Sequence, residues 1–409
     1  MLKRIHIEQL RLGMHVHELC GSWMDHPFWR GAFLLGNPND LKTILSTGIK
    51  EVWIDTAKGL DVKDGVSEEM IVAEVETTLA QADTVEKTAP RIDIHQEAAR
   101  AVKICAKSRQ AVTSMFQEAR MGKALDAEDA LPIVEEISTS VLRNPGALIS
   151  LARLKNKDDY TYMHSVAVCA LMVSLARQLG LDETQTRQAG LAGLLHDVGK
   201  MMIPLEILNK PGKLTDAEFE AVKSHPAQGH KILLEGKRIG GVALDVCLHH
   251  HERVDGTGYP ENLTNEQISL YAKMGAVCDV YDAITSDRPY KNGWEPAESI
   301  RKMAEWSNGH FDPVIFQAFV KSIGIYPVGS LVRLESGRLG VIIEQTEKSL
   351  LLPKVKVFFS IKSNGRVTPE ILDLSKTACK DKIASHEDPV KWGIRDIHEL
   401  WSGLPAATW

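Results

Sequence analysis

The chain has 409 residues, 44% of them hydrophobic and 25% charged, a balance that excludes disordered, collagen-like and coiled-coil classes and predicts two or three globular domains. A formal charge of −6 supplies no basic field to hold DNA, whereas a small anionic ligand remains compatible with it. No apolar run approaches the roughly 18 residues of a membrane helix, and Met1 to Met14 lacks an apolar signal core, so a cytoplasmic protein without membrane contact is expected.

In chain order, residues 1–60 read as a small α/β domain. They show short alternations at Met14 and Val16, an aromatic cluster of Trp23, Phe28, Trp29 and Phe33, and the run Val52-Trp53-Ile54. Residues 51–90 carry ten acidic and three basic side chains, which predicts a solvated connector. From Asp93 to Arg153 good helix formers dominate, with Val134, Ile137, Val141 and Leu142 at helical spacing. Helical periodicity continues from Tyr160 to about Phe319, and Thr215-Asp216-Ala217-Glu218 reads as a capping box. Beyond Tyr326-Pro327 the runs Leu331–Leu334, Val341–Ile343 and Val355–Phe359 predict a small antiparallel appendage of two to four strands. The six cysteines have no CxxC spacing and read as reduced thiols.

The chemistry lies in the helical region. His164, His196-Asp197, His225, His249-His250-His251 and Asp279 occur there in order, and imidazole with carboxylate suits borderline metals such as iron, manganese or zinc. Without a cysteine partner, an open catalytic site is favoured over a closed structural one. His196-Asp197 interrupts the apolar segment Gly193–Lys200, where an unpaired polar doublet is costly to bury. Alone, that doublet is explained as well by a hydrogen-bonded pair as by a metal; the further histidines tip the balance. Three successive helical side chains point roughly 100° apart, so His249 is left out of the set. His230 reads as a helix-surface residue, and His310 and Asp312 as structural.

Five blocks in this order resemble the HD superfamily of metal phosphohydrolases, and more closely its HD-GYP branch of bacterial cyclic di-GMP phosphodiesterases. They are His196–Lys200, Pro204–Gly212, His225-Pro226, His250–Pro260 and Asp279–Lys291. The match runs from about Asn144 to Phe319, and the amino-terminal region resembles an uncharacterised domain often found ahead of HD-GYP modules. The expected fold is therefore multi-domain, with an all-α HD-type bundle as catalytic core, a small α/β amino-terminal domain and a short β appendage. The boundaries expected are 1–60 for the α/β domain, 61–143 for the acidic connector and linking helices, 144–325 for the catalytic domain and 326–409 for the appendage.

The resemblance implies that His164, His196, Asp197, His225, His250, His251 and Asp279 ligate two divalent ions, iron or manganese by ligand type, with Asp197 bridging them. A carboxylate bridge holds metals roughly 3.5 to 4 Å apart, close enough to share a hydroxide. Some relatives have a glutamate four residues before the first metal histidine, supporting a third ion; Tyr160 stands there, so a binuclear site is expected. Lys200 is the expected phosphate contact beside Asp197, and Arg288 and Lys291 the expected substrate contacts by similarity. Asp282 is expected either to orient Lys200 or to touch a guanine edge. The loop Asp255–Pro260 has glycines at positions suited to positive φ or close backbone approach. It reads either as a helix-ending turn or, by resemblance, as a surface that shapes the site and binds diguanylate cyclase (GGDEF) partners.

The implied reaction is hydrolysis of cyclic di-GMP to linear pGpG, and onward to GMP where the site grips the linear product, by a metal-bridging hydroxide. Two rival readings are a non-hydrolytic cyclic di-GMP sensor or scaffold, and an HD phosphohydrolase for another cyclic dinucleotide.

Overall fold

A computed structural model of the chain describes residues 1–20, 32–46, 49–82, 92–154, 160–210, 212, 214–286, 293–346 and 348–405. Two compact units emerge, one formed by Met1–Ala80 with Ala304–Asn308 and the other by Gln81–Met303 with Gly309–Trp409.

The first unit is built on strands β1 (Leu2–His6), β2 (His15–Cys20), β3 (Phe33–Leu34), β4 (Glu51–Asp55) and β5 (Val66–Ser67), with helices α1 (Pro38–Leu45) and α2 (Glu68–Gln81). The sheet order is β3-β2-β4-β1-β5, and all its pairings are antiparallel. Alternation places Val16, Val52 and Ile54 in a core with Ile5, Leu10, Met14 and Leu35. The acidic stretch after residue 60 departs from the expected solvated connector. Val66 and Ser67 pair with β1, and Ile71, Val75 and Leu79 are buried along one side of α2. Its carboxylates Glu68, Glu69, Glu74 and Glu76 are exposed on the rest of the helix surface, so composition alone read the exposed face. Trp23, Phe28 and Trp29 of the expected aromatic cluster lie outside the described residues; Phe33 sits in β3.

The second unit begins with α3 (Ile94–Arg120), α4 (Ala127–Arg143) and α5 (Pro145–Ala152). Asp93 and Asp126 cap α3 and α4 through backbone amides at 3.0 Å, and Pro145 opens α5 where its missing N–H costs nothing. The buried carboxylate of Glu97 ties α3 to α4, accepting from Arg143 Nε and Nη2 and from Ser140 Oγ, each at 2.7 Å.

The helices that carry the histidines follow. They are α6 (Tyr160–Gln178), α7 (Glu183–Leu195), α8 (Leu205–Leu208), α9 (Asp216–Lys223), α10 (His225–Leu234), α11 (Gly241–His249), α12 (Leu270–Thr285), α13 (Pro296–His310) and α14 (Pro313–Ile323). The capping box at Thr215 is present at the start of α9. Ala189, Gly190, Ala192 and Gly193 line the buried length of α7, and a Cβ on Gly193 would lie 3.0 Å from the Val168 carbonyl of α6. Small residues thus let the two helices approach until His164 and His196 meet.

The carboxyl-terminal sheet has the order β10-β6-β7-β8-β9, formed by β6 (Leu331–Leu334), β7 (Arg338–Glu344), β8 (Lys354–Ser360), β9 (Gly365–Asp373) and β10 (Ile383–Glu387). It has five strands where two to four were expected. β9 is almost wholly exposed and β10 is irregular in register, so neither shows the alternation of a half-buried strand. Leu331, Leu339, Val341 and Phe358, with Trp401 of α15 (Ile397–Ser402), share one core with α3 to α7.

Candidate metal centre

Four backbone-anchored or carboxylate-anchored imidazoles converge at the meeting point of α6, α7, α10, α11 and α12. Three are oriented alike: Nδ1–H of His196 donates to the Gly193 carbonyl at 2.8 Å, that of His225 to Val222 at 2.7 Å, and that of His250 to Val246 at 3.0 Å. A carbonyl only accepts, so each bond fixes the proton on Nδ1 and leaves an Nε2 lone pair facing inward. His164 is anchored by a carboxylate instead, its Nδ1 lying 2.6 Å from Asp282 Oδ2.

Asp197 lies between the imidazoles and addresses both sides. Its Oδ2 is 3.3 Å from His164 Nε2 and 3.4 Å from His196 Nε2; its Oδ1 is 3.3 Å from His225 Nε2 and 3.8 Å from His250 Nε2. Asp279 completes the first side, with Oδ1 2.9 Å from His164 Nε2, and its Oδ2 lies 3.8 Å from His251 Nδ1. The donor atoms fall into overlapping groups of three: His164 with His196 and Asp279, His225 with His250 and His251, and His196 with Asp197 and His250.

Two features of this arrangement call for cations. First, the Nε2 atoms of His225 and His250 stand 3.3 Å apart with both Nδ1 protons committed to carbonyls, so lone pair faces lone pair. Second, Asp197 Oδ1 is a buried carboxylate oxygen without a hydrogen bond among the described residues. Titration points the same way. Burial would lower the His164 pKa, but its bonds to Asp197, Asp279 and Asp282 outweigh this and raise it to about 10. Burial opposes ionisation of Asp197 and Asp279, yet Lys200 with the histidines holds the Asp197 carboxyl, and His164, His196 and His251 hold the Asp279 carboxyl, well below the usual range. Burial lowers His250 to about 3, reinforced by neighbouring imidazoles, and His251 shifts in the same direction. Neutral imidazoles beside ionised carboxylates are the protonation states a metal requires.

The close approach depends on one glycine. A Cβ on Gly199, in the 3-10 turn Val198–Met202, would lie 1.9 Å from the His225 carbonyl and 2.5 Å from the Gly229 amide. Only a residue without a side chain lets the Asp197 turn reach the start of α10.

The remaining expectations divide. Lys200 Nζ is 2.5 Å from Asp197 Oδ2, with 21% of its side chain exposed. Asp282, expected to orient Lys200 or meet a guanine edge, is buried with its carboxylate behind His164, 118 residues away in sequence. Arg288 and Lys291 lie outside the described residues, as does the side chain of Tyr160. His249 turns to Asp245 at 2.8 Å. His310 stacks on Phe311, and Asp312 caps α14.

Two individual contacts at the site, those of Tyr259 and Glu252, were not read from the sequence. Tyr259 stacks on His251 with centroids 4.7 Å apart and planes at 24°. Glu252 is buried and accepts the amides of Glu261 at 2.7 Å and Leu263 at 2.9 Å, which pins the loop behind Tyr259. Its position directly after His250-His251 was the available signal. In that loop Gly256 has φ +74°, and a Cβ on Gly258 would lie 2.4 Å from the Arg253 amide, as the glycine spacing suggested.

Family models match the chain in two places: an HD domain over residues 144–315 and a domain of unknown function, DUF3391, over residues 2–130. The cyclic di-GMP phosphodiesterase PA4108 of Pseudomonas aeruginosa is 55% identical over 100% of this chain and 97% of its own length. The cyclic di-GMP phosphodiesterase response regulator RpfG of Xanthomonas campestris is 41% identical over 36% of this chain and 39% of its own. The 3'3'-cGAMP-specific phosphodiesterase 3 of Vibrio cholerae is 34% identical over 42% of this chain and 37% of its own. Among the described residues no helix is long and apolar enough to cross a membrane.

Proposed function

The chain belongs to the HD-GYP branch of the HD superfamily, and from that membership we propose that it hydrolyses cyclic di-GMP, with residues 144–325 as the catalytic domain. The observation that carries this reading is the division of the Asp197 carboxylate, Oδ2 toward His164 and His196 and Oδ1 toward His225 and His250. One carboxylate with two sets of inward lone pairs is the donor pattern of a binuclear site. The proposed ligands are His164, His196, Asp197, His225, His250, His251 and Asp279. Two divalent ions held by these residues, iron or manganese by donor type, would supply the Lewis acidity to ionise a water and to offset phosphodiester charge.

The chain's own residues do the rest. The Gly193, Val222 and Val246 carbonyls hold three imidazoles in the ligating tautomer, and Asp282 does the same for His164. Lys200, at the partly open edge of the site, swings from Asp197 to a non-bridging phosphate oxygen and neutralises charge that grows during attack. Water oxygen adds to phosphorus in line, the bond from phosphorus to O3′ breaks, and O3′ leaves with a proton, giving linear pGpG. A second hydrolysis yields GMP. The Asp255–Pro260 loop is the proposed surface for diguanylate cyclase partners.

The test is hydrolysis of cyclic di-GMP, beside 3'3'-cGAMP, by full-length protein reconstituted anaerobically with Fe(II) or Mn(II), with metal counted on the same sample. Turnover that disappears in the His196→Ala/Asp197→Ala variant, with about two metals per chain in the wild type, supports the reading. Metal-loaded protein that binds cyclic di-GMP without cleaving it overturns the enzyme in favour of a sensor.

A further inference from the structure

Lys223, the last residue of α9, is held at the rim of the metal centre by aromatic faces. Its Nζ lies 4.9 Å from the ring centroid of Phe219 and 5.9 Å from that of Tyr259, and Tyr259 in turn stacks on His251. From centre to rim the order is His251, Tyr259, Lys223. Its carboxylate partner is Glu220 at 2.8 Å, itself 68% exposed, so the pair is screened by solvent and a phosphate can displace it. A strongly hydrated ammonium kept over two ring faces at the mouth of a phosphodiester site is a preplaced anion contact.

We propose that Lys223 binds the second, non-scissile phosphodiester of the cyclic dinucleotide and thereby sets preference for substrates carrying two phosphodiesters; this rests on the phosphodiesterase reading. The two phosphodiesters lie on opposite sides of the macrocycle. When one sits at Asp197, the other is carried outward, and the Lys223–Tyr259 pair lies at that rim. The role is distinct from that of Lys200, which serves the phosphate under attack.

Steady-state kinetics and equilibrium binding of a phosphorothioate analogue of cyclic di-GMP, measured on full-length wild type, Lys223→Met and Lys223→Arg, test it. Lys223→Met raises KM for cyclic di-GMP and Kd for the analogue about tenfold with kcat nearly unchanged, the loss expected for one charge-assisted contact. KM for bis(p-nitrophenyl) phosphate, which has a single phosphodiester, stays at the wild-type value, and Lys223→Arg recovers most of the loss. Equal effects on both substrates, or none on either, overturn the assignment. A wild type that binds the analogue but does not hydrolyse cyclic di-GMP defeats the phosphodiesterase reading alone, since the Kd ratio still decides the role of Lys223. A wild type that neither binds the analogue nor hydrolyses cyclic di-GMP overturns both.

Discussion

Replacing Asp282 with alanine removes the acceptor of the His164 Nδ1–H, a 2.6 Å bond between side chains that are each only 2% exposed. The buried donor loses its carboxylate acceptor, a penalty of about 1–3 kcal/mol. Loss of such an outer partner lowers metal affinity about 10- to 100-fold, or about 1.4–2.8 kcal/mol, and the two routes agree. Asp282→Asn keeps an oxygen acceptor and falls near the lower limit. The assay is competition for Mn(II) against a chelating dye, with a melting curve to show that the variant folds. The pH dependence is a second readout. His164, raised to about 10 by its three carboxylates against the opposing effect of burial, must lose its Nε2 proton to take a metal. Apparent affinity of the wild type therefore rises with pH by up to about tenfold per unit below that value. In Asp282→Ala one of those carboxylates is gone, the His164 pKa falls, and the slope flattens at lower pH. A folded Asp282→Ala protein with wild-type Mn(II) affinity and an unchanged pH slope would refute the reasoning.

Glu97→Ala breaks a buried carboxylate–Arg143 pair, which costs about 3 kcal/mol, the low end of the usual range because Arg143 remains 26% exposed and can rehydrate. Chemical denaturation measures this. Burial opposes ionisation of Glu97, but its bonds to Arg143 and Ser140 prevail and hold its pKa below the ordinary value. The stabilisation is thus present above the unfolded-state pKa and is lost as pH falls through the folded one, so the gap between wild type and Glu97→Ala should close in acid and persist at pH 7. Gly199→Ala forces a Cβ against the His225 carbonyl and separates the Asp197 turn from α10. A loss of about 1–3 kcal/mol in stability is expected, together with a metal count that falls below that of the wild type; full metal loading would contradict the role given to this close approach.

The donors were legible in the sequence because their chemistry is local. A His-Asp doublet in an apolar segment, which the structure places just past the end of α7, and paired histidines farther on are candidate metal donors whatever their distances, and Thr215 with Glu218 announces a helix start from four consecutive residues. Strands β6, β7 and β8 were legible for the same reason, since burial of one face writes alternation into the chain. β9 was not, because both its faces meet solvent and its place is set by the ladder with β8. The acidic stretch before α3 misled because charge reports the exposed side of a helix and is silent about Ile71, Val75 and Leu79 beneath it. Side-chain direction likewise depends on packing between distant segments. Asp282 was read as orienting Lys200 or touching a guanine edge, but the crossing of α12 over α6 sets it behind His164. What the sequence by itself determined, then, is which atoms can ligate and which segments are helical. The division of Asp197 between two groups of imidazoles, the carbonyls that select each tautomer and the aromatic seat of Lys223 were decided only when α6, α7, α9, α10, α11 and α12 packed together, because lone-pair directions are set by backbone geometry across the fold.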